Sequence, residues 1–223
     1  MDFSTFVLAA SMTSLDNLST SVNQADAIEF RMDLSPDPLA ELSQYSLDLP
    51  IIATNRVAHE GGNCPENDSR IDLLCDAMSN PSVKAIDVEL SSITSGHGQR
   101  AIDHAQKHDI SIIISTHNFN STPSLLELES ILTESTKIGD VGKLSVTAES
   151  PSDITNLLVA TWNQTQSGNL VATMSMGALG SHSRVIAPFY GSKIGYAPLD
   201  LNNTTAPGQY SLETLRNLIK SLS

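Results

Sequence analysis

One lysine stands where a parallel barrel would place a reactive side chain. Of the six lysines, Lys143 alone lies in the interior of a strand-like segment, and its neighbours assign it to the polar face of that segment; the other five fall in helices, loops or strand edges. A lysine amine that has lost its proton attacks a carbonyl carbon and forms an iminium. Spacing alone leaves a second interpretation open, in which Lys143 is an internal ion-pair partner of Asp87 or Glu89.

One histidine closes a strand-like segment. His117 ends the segment 111–117, and barrel enzymes draw catalytic groups from this end of their strands. An imidazole with a pKa near ~6.5 takes up and returns a proton around neutral pH. The alternative is a hydrogen-bonded residue at the rim. No second histidine shares a motif with His117, and Cys64 and Cys75 form no CxxC pair, so we predict no metal site and two reduced thiols.

Three arginines lie at or just beyond strand-like segments, where a cation needs an anionic partner. They are Arg31, Arg56 and Arg184. Guanidinium binds carboxylate through two hydrogen bonds, so the arginines favour an acid as substrate. An internal network is the alternative, and both interpretations can hold. Its carboxylates would be those of Glu29, Asp33, Glu60, Asp87 and Glu89.

Strand-like and helical segments alternate along the whole chain. The strands are predicted at 6–11, 27–33, 51–56, 85–90, 111–117, 142–148, 170–176 and 193–197. The helices are predicted at 14–24, 37–44, 69–79, 98–108, 124–135, 152–166, 177–183 and 211–221. Eight strands, each followed by a helix, predict an α/β fold in which residues 1–223 form a single-domain (β/α)₈ TIM barrel.

The strands are apolar on one face only. Ile28 and Phe30 alternate with Glu29 and Arg31, and similar alternation recurs in the segments around 87 and 143. An open parallel sheet covered by helices would be apolar on both faces. In a barrel, the polar face points inward, where unpaired charges would be strongly unfavourable. We therefore predict a binding site inside the barrel.

Composition excludes several classes of partner. Asp and Glu outnumber Lys and Arg by 25 to 12, and the formal charge is -13 without any basic run. Such a chain repels nucleic acid and anionic membranes. The first twelve residues lack a basic region and a sustained apolar segment, so we expect no secretory leader and a cytoplasmic location.

Nine short motifs occur in order over nearly the whole chain. They lie at 29–31, 56–62, 87–89, 115–119, 142–143, 174–177 with Gly180, 183–184, 191–192 and 206–209. In this order they resemble type I 3-dehydroquinate dehydratase, the Schiff-base-forming class of the shikimate pathway. The resemblance implies a (β/α)₈ barrel, homodimeric, that dehydrates 3-dehydroquinate to 3-dehydroshikimate by syn elimination without metal or organic cofactor.

The resemblance also implies residue roles. Lys143 would condense with the C3 ketone, and the iminium would acidify the C2–H bond. His117 would remove that proton and then protonate the departing C1 hydroxyl, while Glu60 would orient His117. Arg184 would bind the substrate carboxylate. The other substrate-binding positions are Glu29, Arg31, Arg56, Ser11, Phe119, Met174, Met176, Thr205 and Gln209, and Asp87 with Glu89 would support them.

The resemblance further implies a loop at about 192–209 that folds over bound substrate. This sequence departs from the family at three positions: Thr205 replaces a frequent Ser, Tyr196 a frequent Phe, and Asn118 a more usual Asp. Two other functions are compatible with part of the sequence. A class I aldolase or transaldolase also uses a strand lysine, but the three arginines and the lack of a well-formed phosphate loop disfavour it. A catalytically silent ligand-binding barrel is disfavoured by the intact Lys143, His117 and Glu60.

Overall fold

Eight parallel strands form one sheet in which the first seven pair in chain order and the eighth pairs with the first. In the computed structural model, which describes residues 1–16, 18 and 20–223, the strands are β1 (Val7–Met12), β2 (Ala27–Arg31), β3 (Ile51–Thr54), β4 (Val83–Glu89), β5 (Ser111–Asn118), β6 (Val141–Thr147), β7 (Val171–Met176) and β8 (Ile194–Ala197). β8 pairs with β1. The seam between β7 and β8 is bridged where the Lys193 amide donates to the Val171 carbonyl at 2.7 Å. The sheet is thus a nearly closed barrel, which confirms the predicted fold.

Helices surround this sheet. They are α1 (Pro38–Gln44), α2 (Asp68–Ala77), α3 (Leu90–Thr94), α4 (Gln99–Lys107), α5 (Leu125–Ile138), α6 (Pro151–Gln166), α7 (Gly177–Gly180), α8 (Ser183–Ile186) and α9 (Leu212–Leu222). The two longest begin at signals in the sequence. Ser124 and Glu127 form a capping box at α5, and Pro151 occupies the first turn of α6. No helix of the described residues is long and apolar enough to cross a membrane.

Two predicted helices differ from the observed elements. Of the predicted helix over 14–24, residues 17 and 19 lie outside the described residues, and the rest contains only a 3₁₀ segment, Thr20–Gln24. The predicted helix at 177–183 is divided into α7 and α8. In the first case Glu41 accepts hydrogen bonds from the Ser14 hydroxyl and the Leu15 amide, which ties this part of the chain to α1 in an irregular conformation.

The barrel interior has two different halves. Outward-facing Ile28 and Phe30 pack beneath the helices, as the alternation predicts. The inner face is polar only towards the carboxyl ends of the strands. Nearer the amino ends of the strands, the inner face carries an apolar cluster that includes Phe3, Val7, Ala9, Ala27, Ile52, Ala85, Ile113, Val141 and Ala172. The prediction of a polar interior is therefore correct for one half of the barrel, and the apolar half closes the floor beneath the charged groups.

Candidate active site

A pocket lies at the carboxyl end of the barrel. It is lined by every predicted site residue except Ser11: Glu29, Arg31, Arg56, Glu60, His117, Phe119, Lys143, Met174, Met176, Arg184, Thr205 and Gln209. Gly61, Ser145, Tyr196 and Ala206 complete the lining. Residues from all parts of the chain meet here because parallel strands of a barrel end on the same side.

Lys143 extends from β6 into the floor of this pocket and is 3% exposed. Its Nζ lies 2.8 Å from Asp87 Oδ2 and 3.3 Å from Glu29 Oε1, with the ring of Tyr196 on another side. The ion pair with Asp87 that the sequence left open is therefore present, whereas Glu89 is not a partner of the lysine. These contacts fix the orientation of the Lys143 side chain while its amine still lines the pocket. The ion pair and a nucleophilic role are therefore compatible.

His117 is fixed by one carboxylate. Glu60 Oε2 accepts from the backbone amide of His117 at 2.9 Å and lies 3.0 Å from its Nδ1. The other oxygen, Oε1, accepts from the Ser91 hydroxyl at 2.6 Å. Because Nδ1 faces an acceptor, it carries the proton of the neutral ring, and Nε2 is left as the basic nitrogen.

The surroundings of His117 favour its neutral form. Burial lowers its pKa well below 6.5, and the charges of Arg56 and Lys143 lower it further, against the opposing effect of Asp87. Burial likewise raises the pKa of Glu60. Both shifts disfavour an imidazolium paired with a carboxylate before substrate arrives. A neutral imidazole is the form that can accept a proton.

Two arginines hold the acidic residues behind Lys143. Arg56 contacts Asp87 Oδ1 and Glu89 Oε1, each at 2.8 Å, and donates to the Ser115 hydroxyl at 2.7 Å. Arg70 of α2 binds the other oxygen of Glu89 at 2.8 Å. Burial opposes the charge of Arg56, but Asp87 and Glu89 outweigh it and raise the pKa of Arg56. Burial also opposes the charge of Asp87, and here Arg56 and Lys143 outweigh it and lower the pKa of Asp87.

Arg31 is also engaged within the protein. Its Nε and one terminal nitrogen bind the two oxygens of Asp33 at 2.8 and 2.7 Å. The same terminal nitrogen donates to the Gly61 carbonyl at 3.3 Å. Asp33 in turn accepts from the backbone amide of Arg56 at 3.2 Å. The internal network that the sequence left open therefore accounts for Arg31 and Arg56.

Arg184 is different, because no carboxylate of the described residues lies within ion-pair distance of its guanidinium. A terminal nitrogen donates to the Pro207 carbonyl at 3.2 Å, and Nε is buried without a partner among the described residues. Burial lowers the pKa of Arg184 to about 10, a shift that Tyr210 opposes. A buried cation without an anion is unfavourable, so this arrangement favours an anionic ligand beside Arg184.

A loop after β8 covers the pocket. Gln209 Oε1 accepts from the amides of Thr205 at 2.9 Å and Ala206 at 3.1 Å, which folds the loop on itself. The loop also docks on the barrel, since the Gly177 amide donates to the Pro207 carbonyl at 3.2 Å. β8 occupies Ile194–Ala197 within the predicted lid at 192–209. The covering segment is therefore only the part after that strand.

Apolar side chains form part of the pocket wall. Phe119 lies against Gly61, whose φ of 81° suits glycine, and a Cβ at this position would come within 2.3 Å of the Phe119 ring. Met174 and Met176 of β7 are buried beside the pocket. These groups limit the water that reaches the amine and the imidazole.

Ser11 occupies a supporting position. Its hydroxyl donates to Glu29 Oε2 at 2.7 Å, and it does not line the pocket. It therefore contacts the site through Glu29, unlike the other predicted substrate-binding residues. Both cysteines, Cys64 and Cys75, are free. No group of three potential metal-ligating side chains occurs within the described ranges.

Sequence reasoning missed three residues of this region. Tyr196 lies on β8 two residues after Ile194, and both side chains face the interior. The alternation of side chains along this strand could have indicated it. Ser145 follows Lys143 with the same parity and also lines the pocket. Arg70 gave no signal, because a helical arginine four residues after Glu66 is typical of a surface ion pair.

The family model and similar curated proteins agree on one family. Residues 5–223 match the family described as Type I 3-dehydroquinase. The 3-dehydroquinate dehydratase of Haloarcula marismortui is 45% identical over 100% of this chain and 98% of its own length. That of Halobacterium salinarum is 42% identical over 100% of both chains.

Solved structures agree. The type I 3-dehydroquinate dehydratase of Clostridium difficile matches with a TM-score of 0.84 and 25% identity, over 98% of this chain and 92% of that one. The 3-dehydroquinate dehydratase of Aquifex aeolicus matches with a TM-score of 0.78 and 28% identity, over 98% and 99%. With a family match over nearly its whole length and relatives above 40% identity, the chain belongs to the type I 3-dehydroquinase family.

Proposed function

We propose that this chain dehydrates 3-dehydroquinate to 3-dehydroshikimate in the shikimate pathway, with Lys143 as the Schiff-base lysine and His117 as the proton carrier. Membership of the type I family supports the activity and the Schiff-base mechanism, and it decides against the aldolase or transaldolase alternative. The observation that carries the assignment of residues is their meeting in one pocket: a buried amine, an imidazole held by Glu60, and an arginine with no anion among the described residues.

The first step joins Lys143 to the substrate. Its amine, once deprotonated, attacks the C3 carbonyl carbon, and the carbonyl oxygen leaves as water to give a cationic iminium. Asp87 and Glu29 lie beside Nζ, where they neutralise an ammonium before the reaction and the iminium after it. Because these carboxylates are already in place, the charge that forms needs little rearrangement of its surroundings.

The second step is the elimination. Nε2 of His117 accepts the C2 proton, and the electrons of that bond move towards the iminium nitrogen to give an enamine. The imidazolium then returns this proton to the C1 hydroxyl, which departs as water while the enamine electrons form the new double bond. Glu60 stabilises the imidazolium through the Nδ1 contact of 3.0 Å. Water finally hydrolyses the iminium and releases Lys143.

Arg184 and the covering loop hold the substrate. We assign the substrate carboxylate to Arg184, because its guanidinium lacks an internal anion among the described residues. Thr205 and Gln209 on the loop face the same pocket and would contact ring hydroxyls. Closing the loop excludes water from the iminium, which protects it from early hydrolysis.

Arg184→Ala is expected to lower kcat/KM by about 30-fold to 1000-fold, equivalent to about 2 to 4 kcal/mol. The free energy of unfolding should fall by no more than about 1 kcal/mol, because the guanidinium has no carboxylate partner to lose among the described residues. Steady-state kinetics and urea unfolding test this, with the surface variant Arg100→Ala as control. A kcat/KM within twofold of the unchanged enzyme would remove Arg184 from substrate binding.

The pH profile should report the lowered pKa of His117. The imidazole must be neutral to accept a proton, and a lowered pKa keeps it neutral to more acidic pH. Activity is therefore lost only when pH falls through a value below 6.5. The measurement is kcat/KM as a function of pH. An acid limb centred above 6.5 contradicts the proposed environment of the histidine.

Assembly and location remain proposals. The family resemblance supports a homodimer, and light scattering after size exclusion should then give twice the chain mass of 23.8 kDa. A monomer at micromolar concentration contradicts it. The cytoplasmic location stays a prediction, as does the single domain over residues 1–223 with its substrate-covering loop.

Ultraviolet detection of the conjugated enone tests the activity itself. Purified protein mixed with 3-dehydroquinate in the presence of a chelator should produce 3-dehydroshikimate, whose enone absorbs where the substrate does not. Absence of turnover with or without chelator would favour the silent ligand-binding barrel. Turnover that the chelator abolishes would contradict a mechanism without metal.

A further inference from the structure

Tyr196 is a pocket residue to which the mechanism above gives no role. It lies on β8, is 4% exposed, and its side chain faces the barrel interior among the small residues of the floor. The face of its ring contacts Lys143, with Nζ 4.0 Å from the ring centroid. A cation over an aromatic face is a favourable contact that needs the ring and not the hydroxyl. The oxygen of Tyr196 therefore needs a separate explanation.

That oxygen has no hydrogen-bond partner within the described residues, although it is buried. Buried tyrosine hydroxyls usually have a partner, because an unsatisfied polar group is unfavourable. Tyr45 illustrates the usual arrangement, since its hydroxyl donates to the Leu49 carbonyl at 2.9 Å. Burial raises the pKa of Tyr196 well above 10, and Glu29 and Asp87 raise it further. The hydroxyl thus keeps its proton and is a donor without an acceptor.

The position of this donor matters more than its isolation. Of the buried side-chain atoms without a partner in the described residues, only two belong to residues that line the pocket, namely Arg184 Nε and Tyr196 Oη. The others belong to Thr54, Arg70, Thr116 and Ser175, which do not line it. Two unused donors thus occur in one pocket, and a ligand rich in oxygen would satisfy both.

We propose that the Tyr196 hydroxyl donates a hydrogen bond to an oxygen of bound 3-dehydroquinate near the carbon that Lys143 attacks, so that Tyr196 is a further substrate-binding residue. This inference rests on the proposed function. The ring positions the amine and the hydroxyl holds the substrate, so one side chain orients both reacting partners. The bond exists only in the complex, which explains why the hydroxyl has no partner among the described residues.

Tyr196→Phe tests this, because it removes the oxygen and leaves the ring against Lys143. We expect kcat/KM for 3-dehydroquinate to fall about tenfold. The free enzyme should be as stable as the unchanged protein or more stable, since an unsatisfied buried group is removed. Tyr45→Phe is the matched control. It removes a hydroxyl that has a partner outside the pocket, so its unfolding free energy should fall while kcat/KM stays within twofold.

The outcomes separate this inference from the function on which it rests. Tenfold lower kcat/KM with undiminished stability supports a substrate contact. A kcat/KM within twofold of the unchanged enzyme overturns it, and so does a loss of kcat/KM accompanied by a loss of stability like that of Tyr45→Phe, which indicates a structural hydroxyl. If the proposed function fails, the unchanged enzyme itself shows no turnover. Failure of the Tyr196 inference alone leaves the unchanged enzyme active.

Discussion

Replacing Lys143 with alanine should lower kcat for 3-dehydroquinate by on the order of 10⁵-fold, because the group that forms the covalent intermediate is lost. Without the amine no iminium forms, so the C2–H bond is no longer acidified. The remaining arginine can still bind substrate and the remaining histidine can still transfer a proton, which accounts for any residual rate. The measurement is enone formation at high enzyme concentration.

Two further variants separate the nucleophile from its charge. Lys143→Arg keeps a cation beside Asp87 and Glu29 but cannot form an iminium, because guanidinium does not lose its proton near neutral pH. It should be as inactive as the alanine variant. Lys193→Ala, at a partly exposed lysine outside the pocket that donates to the Ser4 carbonyl, should keep full activity. An active Lys143→Arg enzyme would show that the charge, not the covalent bond, is what the reaction needs.

His117→Ala should lower kcat by about 10²-fold to 10⁴-fold while leaving Schiff-base formation largely intact. The histidine carries the proton in the elimination, whereas the bond to substrate is made by Lys143. Rapid mixing followed by borohydride should therefore trap the covalent intermediate at high yield before much enone has formed. Mass spectrometry and ultraviolet absorbance measure the two quantities on the same sample.

A matched control uses another histidine. His108→Ala alters an exposed ring that stacks on His104, away from the pocket, and should leave both quantities unchanged. If His117→Ala forms enone as fast as the unchanged enzyme, another group carries the proton. If it fails to form the adduct at all, His117 acts before the elimination, and the division of roles between lysine and histidine is wrong.

Strand alternation made the barrel and much of its site predictable from sequence. Charged residues at every second position, as in Glu29 and Arg31 or Asp87 and Glu89, are compatible with burial only if one face meets other polar groups. Position in a strand therefore indicated which side chains meet. The apolar half of the interior was missed, because inward Ala27 has the same character as residues on the outer face.

Strand position alone does not separate the roles of the three arginines, and only the family resemblance assigned the substrate carboxylate to Arg184. Arg31, Arg56 and Arg184 are alike in the sequence, since each lies at or just after a strand. They differ in which carboxylates approach them in space. Arg31 pairs with Asp33. Arg56 pairs with Asp87 and Glu89, whereas Arg184 pairs with no carboxylate of the described residues. Pairing across a barrel depends on side-chain geometry that spacing along the chain does not encode.

Local irregularity limited the prediction of the first helix and the lid. Leu15, Leu18 and Val22 have helical spacing, yet the described residues there form only a 3₁₀ segment at Thr20–Gln24. Contacts with Glu41 outweigh the local preference. The strand Ile194–Ala197 was predicted from its residues, but the loop range of about 192–209 that the family resemblance implies also includes this strand.

Borohydride reduction in the presence of 3-dehydroquinate, followed by peptide mapping, tests the central claim most directly. The account predicts one stable adduct, on the peptide that contains Lys143, formed only when substrate and reductant are both present. Protein without an adduct during active turnover, or with the adduct on any of the other five lysines, contradicts the account.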